Sequence, residues 1–124
     1  MENQKHRIVI VEDDALLGRA LTDKLHMEGF DVTLITDGAE AVAAIKEVKP
    51  ELILLDVMLP HVDGFGVLKA LKADEDVLSI PVIMLTNLSQ ETDQALGLEL
   101  GAVEYLVKSD HMLAEIVKTI HNHL

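Results

Sequence analysis

Apolar residues form five short runs along the chain, and each run is followed by a segment in which apolar residues recur every three or four positions. The runs predict β-strands over residues 8–11, 30–35, 52–55, 81–85 and 104–107. The periodic segments predict helices over residues 15–27, 39–48, 65–73, 90–100 and 112–123. Strict alternation of strands and helices is typical of a parallel sheet whose strands are joined by right-handed crossovers. The pattern therefore predicts an α/β fold with one five-stranded parallel sheet and helices on both faces.

The third run is apolar at every position from 52 to 55 and ends directly at Asp56. A run without alternation is typical of a strand that is covered on both faces. The second run alternates Val32 and Leu34 with polar neighbours, which predicts a strand at the edge of the sheet. In open parallel sheets, ligands bind at the carboxyl ends of the strands. Asp56 therefore marks the edge of the sheet where chemistry is expected.

Charged and small residues mark the predicted ends of the helices. The acidic run at residues 12–14 precedes the first helix, where carboxylates can cap free amides and face the positive end of the helix dipole. Ser89 and Asp110 precede the fourth and fifth helices and are predicted N-caps. Gly29 and Gly101 follow the first and fourth helices and are predicted to end them.

Length and composition predict one domain that spans residues 1–124. The chain is 49% hydrophobic, and a chain of this size can bury roughly two thirds of its unfolded surface. Cysteine is absent, which excludes disulfides, thiol chemistry and thiolate metal sites and fits a reducing compartment. The sequence has no signal-peptide core and no run of ~20 apolar residues, so we expect a cytoplasmic protein.

The net charge bears on the class of partner. The formal net charge is -12 at pH 7. Nucleic acids and anionic membranes are bound by clusters of lysine and arginine, so this charge argues against both as direct partners. It favours a cationic ligand or a basic protein surface.

The residues just past four of the predicted strands are chemically distinctive. They are Glu12, Asp13, Asp56, Thr86 and Lys108. Because the carboxyl ends of parallel strands meet at one edge of a sheet, these side chains share one small cleft if the four strands lie side by side.

This set of side chains suits one reaction. Three carboxylates close together repel one another, and Mg2+ prefers such oxygen ligands, so Glu12, Asp13 and Asp56 are candidate metal ligands. An oxygen of Asp56 can attack an electrophile and form an acyl phosphate. Lys108 and the metal would offset charge on the phosphoryl oxygens, and Thr86 would donate a hydrogen bond to the product.

Each residue taken singly has a simpler interpretation. Acids before a helix are usually capping residues, threonine after a strand is usually a turn residue, and lysine is usually solvated. The hypothesis therefore depends on all of these groups occurring together at strand ends.

Four motifs resemble the receiver domains of two-component response regulators, also called CheY-like domains. The motifs are IVIVEDD with Leu16 and Leu17, LILLDVMLP with Asp63 and Gly64, PVIMLT, and GAVEYLVK. The resemblance extends over the whole chain. It implies a doubly wound, flavodoxin-like sheet with the strand order 2-1-3-4-5 known for CheY.

The resemblance also implies the roles of the site residues. Asp56 would be the phosphoacceptor, which takes a phosphoryl group from a histidine of a sensor kinase or phosphotransfer protein. Glu12 and Asp13 would help Asp56 to hold Mg2+, and the backbone carbonyl of Met58 would be a further ligand. Lys108 would contact the phosphoryl group. Such a domain is a phosphoacceptor in signalling and not an enzyme, apart from self-phosphorylation and the loss of its own phosphate.

The resemblance further implies a switch and an output surface. Thr86 would be the switch hydroxyl, and Tyr105 would be the aromatic residue that moves inward on activation, although ordinary packing is the alternative for this tyrosine. The surface of the fourth helix, fifth strand and fifth helix would bind a downstream effector protein or domain, and a homodimer through this surface stays open. Helical phasing predicts Ala95, Leu96 and Leu100 against the sheet, with Leu98 near the edge of that stripe.

Departures from the family pattern occur beside the site. The family commonly has a cis proline after the lysine, whereas this chain has Ser109; a cis bond there would cost ~3 kcal/mol, so a trans bond is expected. Asn87 is larger than the usual alanine or glycine and is predicted to narrow access for the phosphodonor. Met58 and Leu88 carry no group that can orient water, which predicts slow loss of phosphate.

The main competing function is an interaction module that keeps the fold and binds partners without phosphorylation. A flavodoxin-like cofactor site is disfavoured because the first strand-helix turn is acidic and would repel phosphate. Rossmann and P-loop enzymes are excluded because their glycine motifs are missing. An aspartate-nucleophile phosphatase would need an acid at the position of Met58. The sequence leaves open the kinase, the pathway, and whether the chain is a whole regulator or part of a longer one.

Overall fold

The computed structural model describes residues 6–124, so the first five residues of the predicted domain 1–124 lie outside the described part of the chain. The strands of the described residues are β1 (Arg7–Val11), β2 (Asp31–Ile35), β3 (Leu52–Leu55), β4 (Val82–Thr86) and β5 (Glu104–Val107). The α-helices are α1 (Ala15–Met27), α2 (Gly38–Val48), α3 (Gly64–Lys72), α4 (Glu91–Glu99) and α5 (Leu113–Asn122). A single 3-10 turn, Lys108–Asp110, separates β5 from α5.

The strands form one parallel sheet in the order β2-β1-β3-β4-β5. This arrangement confirms the predicted α/β fold and strand order, and it places β2 at the predicted edge. The apolar runs explain the order, because β1, β3 and β4 are buried along most of their length and occupy the middle.

Helices cover both faces of the sheet. Leu21 and Leu25 of α1 and Ile120 of α5 are buried on one face. The other face is covered by α2 and α3, with buried residues such as Ile45 and Leu68. Since both layers bury apolar stripes against the same sheet, the carboxyl edge of the strands is left between the helix ends. No helix within residues 6–124 is long and apolar enough to cross a membrane.

Some predicted helix ends are confirmed and others are wrong. Asp14 caps α1 by accepting hydrogen bonds from the amides of Leu16 and Leu17, and Gly29 and Gly101 have positive φ angles just after α1 and α4. Ser89 does not cap α4, whose N-cap is Gln90 without a side-chain bond.

Asp110 does not cap α5, because it belongs to the 3-10 turn. The N-cap of α5 is Met112, whose backbone amide donates to the Glu115 carboxylate at 2.8 Å. The phasing predicted for α4 is wrong at Ala95 and Leu96, which are exposed, but Leu100 packs against the core as predicted. Gly97 is the residue of α4 that is buried, and Leu98 is 51% exposed as expected.

Gly64 lets the start of α3 approach the end of β3. A Cβ atom at Gly64 would lie 2.1 Å from the carbonyl oxygen of Asp56 and 2.6 Å from Cα of Val57. Asp63 caps this helix by accepting a hydrogen bond from the amide of Gly66 at 2.9 Å. The missing side chain at Gly64 therefore fixes the loop that follows Asp56.

Gly64→Ala should destabilise the protein by about 2 kcal/mol or more, because the new methyl group meets backbone atoms that cannot move independently. Gly66→Ala is the matched control in the same helix. Its Cβ would meet side-chain atoms alone, Cγ1 of Val62 at 3.1 Å and Oδ1 of Asp63 at 3.7 Å, so the free energy of unfolding should change by less than about 1 kcal/mol. Urea unfolding measures both, and equal midpoints for the two variants would contradict the close approach.

Candidate functional site

The register of the sheet brings the predicted site residues together. Val11 pairs with Leu55 at the ends of β1 and β3, so the residues that follow them are neighbours. The amide of Asp56 donates to the carbonyl of Val11 at 3.0 Å, which extends the ladder by one residue. Thr86 pairs with Val107 at the ends of β4 and β5, which places Thr86 beside Lys108.

Lys108 lies between two buried carboxylates. Its Nζ is 2.8 Å from Asp56 Oδ2 and 2.8 Å from Glu12 Oε1. The side chains of Glu12 and Asp56 are only 2% and 4% exposed, and that of Lys108 is 14% exposed. All peptide bonds of the described residues, including the one before Ser109, are trans. The lysine therefore reaches the acidic pair from a trans loop, as was expected for this bond.

Burial controls the charge of Glu12. Loss of solvation raises its pKa to about 7, and the charge of Asp56 adds to this, while hydrogen bonds from Lys108 and the amide of Asp14 oppose it. Burial also opposes the charge of Lys108, but its hydrogen bonds to Asp56 and Glu12 outweigh that effect and its pKa is raised. The lysine is therefore cationic at neutral pH and compensates one of the two buried carboxylates.

Three carboxylates form a candidate metal site. Glu12, Asp13 and Asp56 each offer an oxygen, and these oxygens lie within 4.8 Å of one another. Asp13 is exposed at the mouth of the site, whereas the other two acids are buried. With Lys108 the fully ionised cluster carries two net negative charges, which fits a divalent cation with oxygen ligands.

Met58 contacts Asp56 through its backbone. Its amide donates to Asp56 Oδ1 at 3.1 Å, and its side chain is exposed. The role of its carbonyl as a metal ligand stays a prediction.

Leu88 connects the two predicted switch residues. Thr86 is fully buried, and its Oγ1 accepts a hydrogen bond from the amide of Leu88 at 3.4 Å. The hydroxyl of Tyr105 donates to the carbonyl of Leu88 at 2.9 Å. Burial raises the pKa of Tyr105 to about 12, with a further contribution from Asp93. The backbone of one loop residue thus contacts both side chains.

Sequence reasoning missed Gly97, which lies against the ring of Tyr105. A Cβ atom there would be 2.7 Å from Cδ2 of the tyrosine. The available signal was a glycine inside a predicted helix, a position that is unfavourable unless packing requires it.

An open cleft of about 530 Å³ lies beside the carboxylates. Its lining residues are Asp13, Val57, Met58, Leu59, Pro60, Asp63 and Leu88. Asn87 is exposed, and its effect on access for the phosphodonor stays a prediction. Apart from Asp13 and Asp63, the residues that line the cleft are apolar, and Asp13 connects it to the carboxylate cluster.

The sequence matches the family model described as response regulator receiver domain over residues 8–121. The DNA-binding response regulator MtrA of Mycobacterium tuberculosis is 44% identical over 108 residues, a match that covers 87% of this chain and 46% of MtrA. The chain therefore spans less than half the length of this curated relative.

Solved receiver domains have similar structures. The BeF3-activated N-terminal receiver domain of Klebsiella pneumoniae RstA has a TM-score of 0.88 at 32% identity, covering 95% of this chain and 97% of that chain. The receiver domain of the sensor histidine kinase PA1611 of Pseudomonas aeruginosa has a magnesium ion in its active-site cleft. Its TM-score is 0.87 at 28% identity, and the match covers 97% of this chain and 98% of that chain.

Glu12→Gln should remove part of the pH dependence of folding in metal-free buffer. The pKa of Glu12 is raised from 4.5 to about 7, so the folded state binds the proton of this carboxyl more tightly than the unfolded state does. The free energy of unfolding therefore contains a contribution from protonated Glu12 that is complete below pH 4.5 and is lost as the pH rises through about 7. The loss is up to about 3 kcal/mol, since one pKa unit corresponds to about 1.4 kcal/mol. Urea unfolding between about pH 4 and about pH 8 measures this in both proteins. If the free energy of unfolding changes with pH in the same way in the unmodified protein and in Glu12→Gln, the raised pKa of Glu12 is contradicted.

Proposed function

The chain belongs to the family of response regulator receiver domains, and from this premise we propose that it accepts a phosphoryl group on Asp56 in a Mg2+-dependent reaction. The observation that carries the proposal is the contact of Lys108 with both Glu12 and Asp56 beside a cluster of three carboxylates. The donor is a phosphohistidine of a sensor kinase or phosphotransfer protein. An oxygen of Asp56 forms a bond to phosphorus while the bond from phosphorus to the histidine nitrogen breaks, and that nitrogen keeps the electron pair.

Glu12, Asp13 and Asp56 are the side chains that would hold Mg2+, with the carbonyl of Met58 as a fourth protein ligand. The close carboxylate oxygens and the magnesium ion in the cleft of the PA1611 receiver domain support this assignment. Magnesium bound there would offset negative charge on the phosphoryl oxygens.

Lys108 has two roles in this proposal. Before transfer it compensates the charge of the buried acids. After transfer its Nζ donates to a phosphoryl oxygen, since it already lies 2.8 Å from the accepting carboxylate. This contact also weighs against the alternative function, an interaction module that needs no phosphate, which Ser109 and Asn87 would favour.

Thr86 and Tyr105 would carry the signal away from the site. The Thr86 hydroxyl donates to the phosphoryl group, and the Leu88 loop adjusts because its amide contacts Thr86 and its carbonyl contacts Tyr105. The α4-β5-α5 surface then binds a downstream effector protein or domain.

We also propose the extent of the domain, its mode of signalling and its classes of partner. Residues 1–124 would form one receiver domain, which the match over residues 8–121 supports. We propose signalling by phosphate acceptance and loss, without turnover of a separate substrate, and neither nucleic acid nor membrane as a direct partner of this chain. The cytoplasmic location stays a prediction, and a homodimer stays an alternative to an effector.

Intact-mass measurement after incubation with Mg2+ and a small acyl-phosphate donor tests the proposed function. The unmodified protein should gain one phosphoryl group, whereas Asp56→Asn and a chelator-treated sample should gain none. Asparagine keeps the shape of the side chain but lacks the nucleophilic carboxylate. Gain of phosphate by Asp56→Asn, or no gain by the unmodified protein from small donors and phosphohistidine proteins, would contradict it.

The phosphorylated protein should lose phosphate slowly. Met58 and Leu88 line the cleft without a polar side-chain group that could orient an attacking water. A Met58→Asn/Leu88→Glu variant should hydrolyse about tenfold faster, which corresponds to ~1.4 kcal/mol in the barrier. The half-life of the phosphorylated mass, after removal of the donor, measures this. A half-life that is no shorter in the variant would exclude this explanation.

A further inference from the structure

Helix α4 contacts the sheet mainly through a glycine. Gly97 is the buried residue of this helix, whose neighbouring Leu96 and Leu98 are 40% and 51% exposed. The N-cap, Gln90, makes no capping bond with its side chain. A helix with so little apolar burial is held by few interactions, so the contact at Gly97 largely determines where it lies.

The ring of Tyr105 occupies the space that a side chain at position 97 would fill. A Cβ atom on Gly97 would lie 2.7 Å from Cδ2 and 3.1 Å from Cε2 of this ring, and 3.6 Å from Cγ of Met84. Met84 pairs with Tyr105 across β4 and β5. The ring therefore lies between α4 and the sheet, and it keeps this position only because position 97 has no side chain.

The position of the ring sets the position of the loop after β4. With the ring under α4, the Tyr105 hydroxyl donates to the Leu88 carbonyl at 2.9 Å. The Leu88 amide in turn contacts Thr86 Oγ1 at 3.4 Å, and Leu88 lines the cleft beside Asp56. Displacement of the ring would break the first bond and free the loop that follows the switch threonine at the end of β4.

We propose that Gly97 is a positioning residue, which holds Tyr105 between α4 and the sheet and thereby orders Leu88 and Thr86 for the phosphoryl group. The regulatory part of this inference rests on the proposed function, whereas the packing part does not. Because an ordered loop need not be ordered again on binding, the arrangement raises the affinity of the site for a phosphoryl group.

The composition of the chain provides a direct probe. Tyr105 is the single tyrosine, and tryptophan is absent, so tyrosine emission reports on this ring alone. In resting, metal-free protein, Gly97→Ala should increase the acrylamide quenching constant of this emission about twofold or more, because the displaced ring enters solvent. Thr92→Ala, at an exposed position of α4, is the control that strengthens the helix without touching the ring, and its quenching should equal that of the unmodified protein. Folded Gly97→Ala with unchanged quenching would overturn the proposal.

A double-mutant cycle separates ring contact from a general structural effect. Gly97→Ala should lower the urea midpoint in the unmodified protein. In a Tyr105→Ala background the same change should raise the midpoint, because the ring is gone and alanine favours helix. If Gly97→Ala shifts the urea midpoint in the same direction in both backgrounds, the proposed contact between position 97 and the Tyr105 ring is overturned.

Affinity for Mg2+ with beryllofluoride, a phosphoryl analogue, tests the link to the site. Gly97→Ala should bind the analogue about fivefold more weakly than the unmodified protein, while Thr92→Ala should bind it equally. Equal affinity in Gly97→Ala would overturn the regulatory part. If the unmodified protein neither binds the analogue nor gains phosphate by intact mass, the proposed function fails, and the quenching result still decides the role of Gly97 in packing.

Discussion

Two buried carboxylates, those of Glu12 and Asp56, lie side by side at the carboxyl edge of the sheet, and the ammonium group of Lys108 offsets the cost of burying them. The strand register forces Glu12 and Asp56 together, and both are almost inaccessible to solvent. Two like charges in such a place would repel each other and lose their solvation. The ammonium group at 2.8 Å from each compensates part of this cost, and the excess negative charge that remains is what makes the place suitable for a cation.

The fold brings Glu12, Asp56 and Lys108 together and needs few other residues in particular positions to do so. A doubly wound sheet brings the carboxyl ends of β1, β3, β4 and β5 to one edge, so residues distant in sequence become neighbours without a dedicated scaffold. Gly64 lets α3 close against the backbone of Asp56, and Leu88 links Thr86 to Tyr105. The same edge of the sheet therefore holds the charged cluster and the contacts of Leu88 with Thr86 and Tyr105, which connect the site to α4.

Most of the fold could be predicted from the sequence because burial on both faces leaves a strong signal. Continuous apolar runs located the central strands and an alternating run located the edge strand β2. The acids and the lysine that follow the strands marked one edge of the sheet, and the resemblance to receiver domains is confirmed by the family match. Helix α4 was predicted correctly as an element, but the inward orientation of Ala95 and Leu96 and the capping of α5 by Asp110 were wrong for physical reasons. Helix α4 buries a glycine, so its apolar periodicity does not indicate the inner face, and α5 begins with a backbone bond to Glu115 instead of a cap from Asp110. The metal and switch roles stay predictions because they depend on groups that bind to the site.

The location of the phosphoryl group tests the central claim most directly. An acyl phosphate on an aspartate can be reduced with borohydride to homoserine, which marks the residue permanently. Sequencing of the digested, reduced protein by tandem mass spectrometry should find homoserine at position 56 alone, and only when Mg2+ was present during phosphorylation. Homoserine at position 13 or 63 with Asp56 unmodified would contradict the account, since Lys108 makes its ion pairs with Asp56 and Glu12 and with neither of those two aspartates.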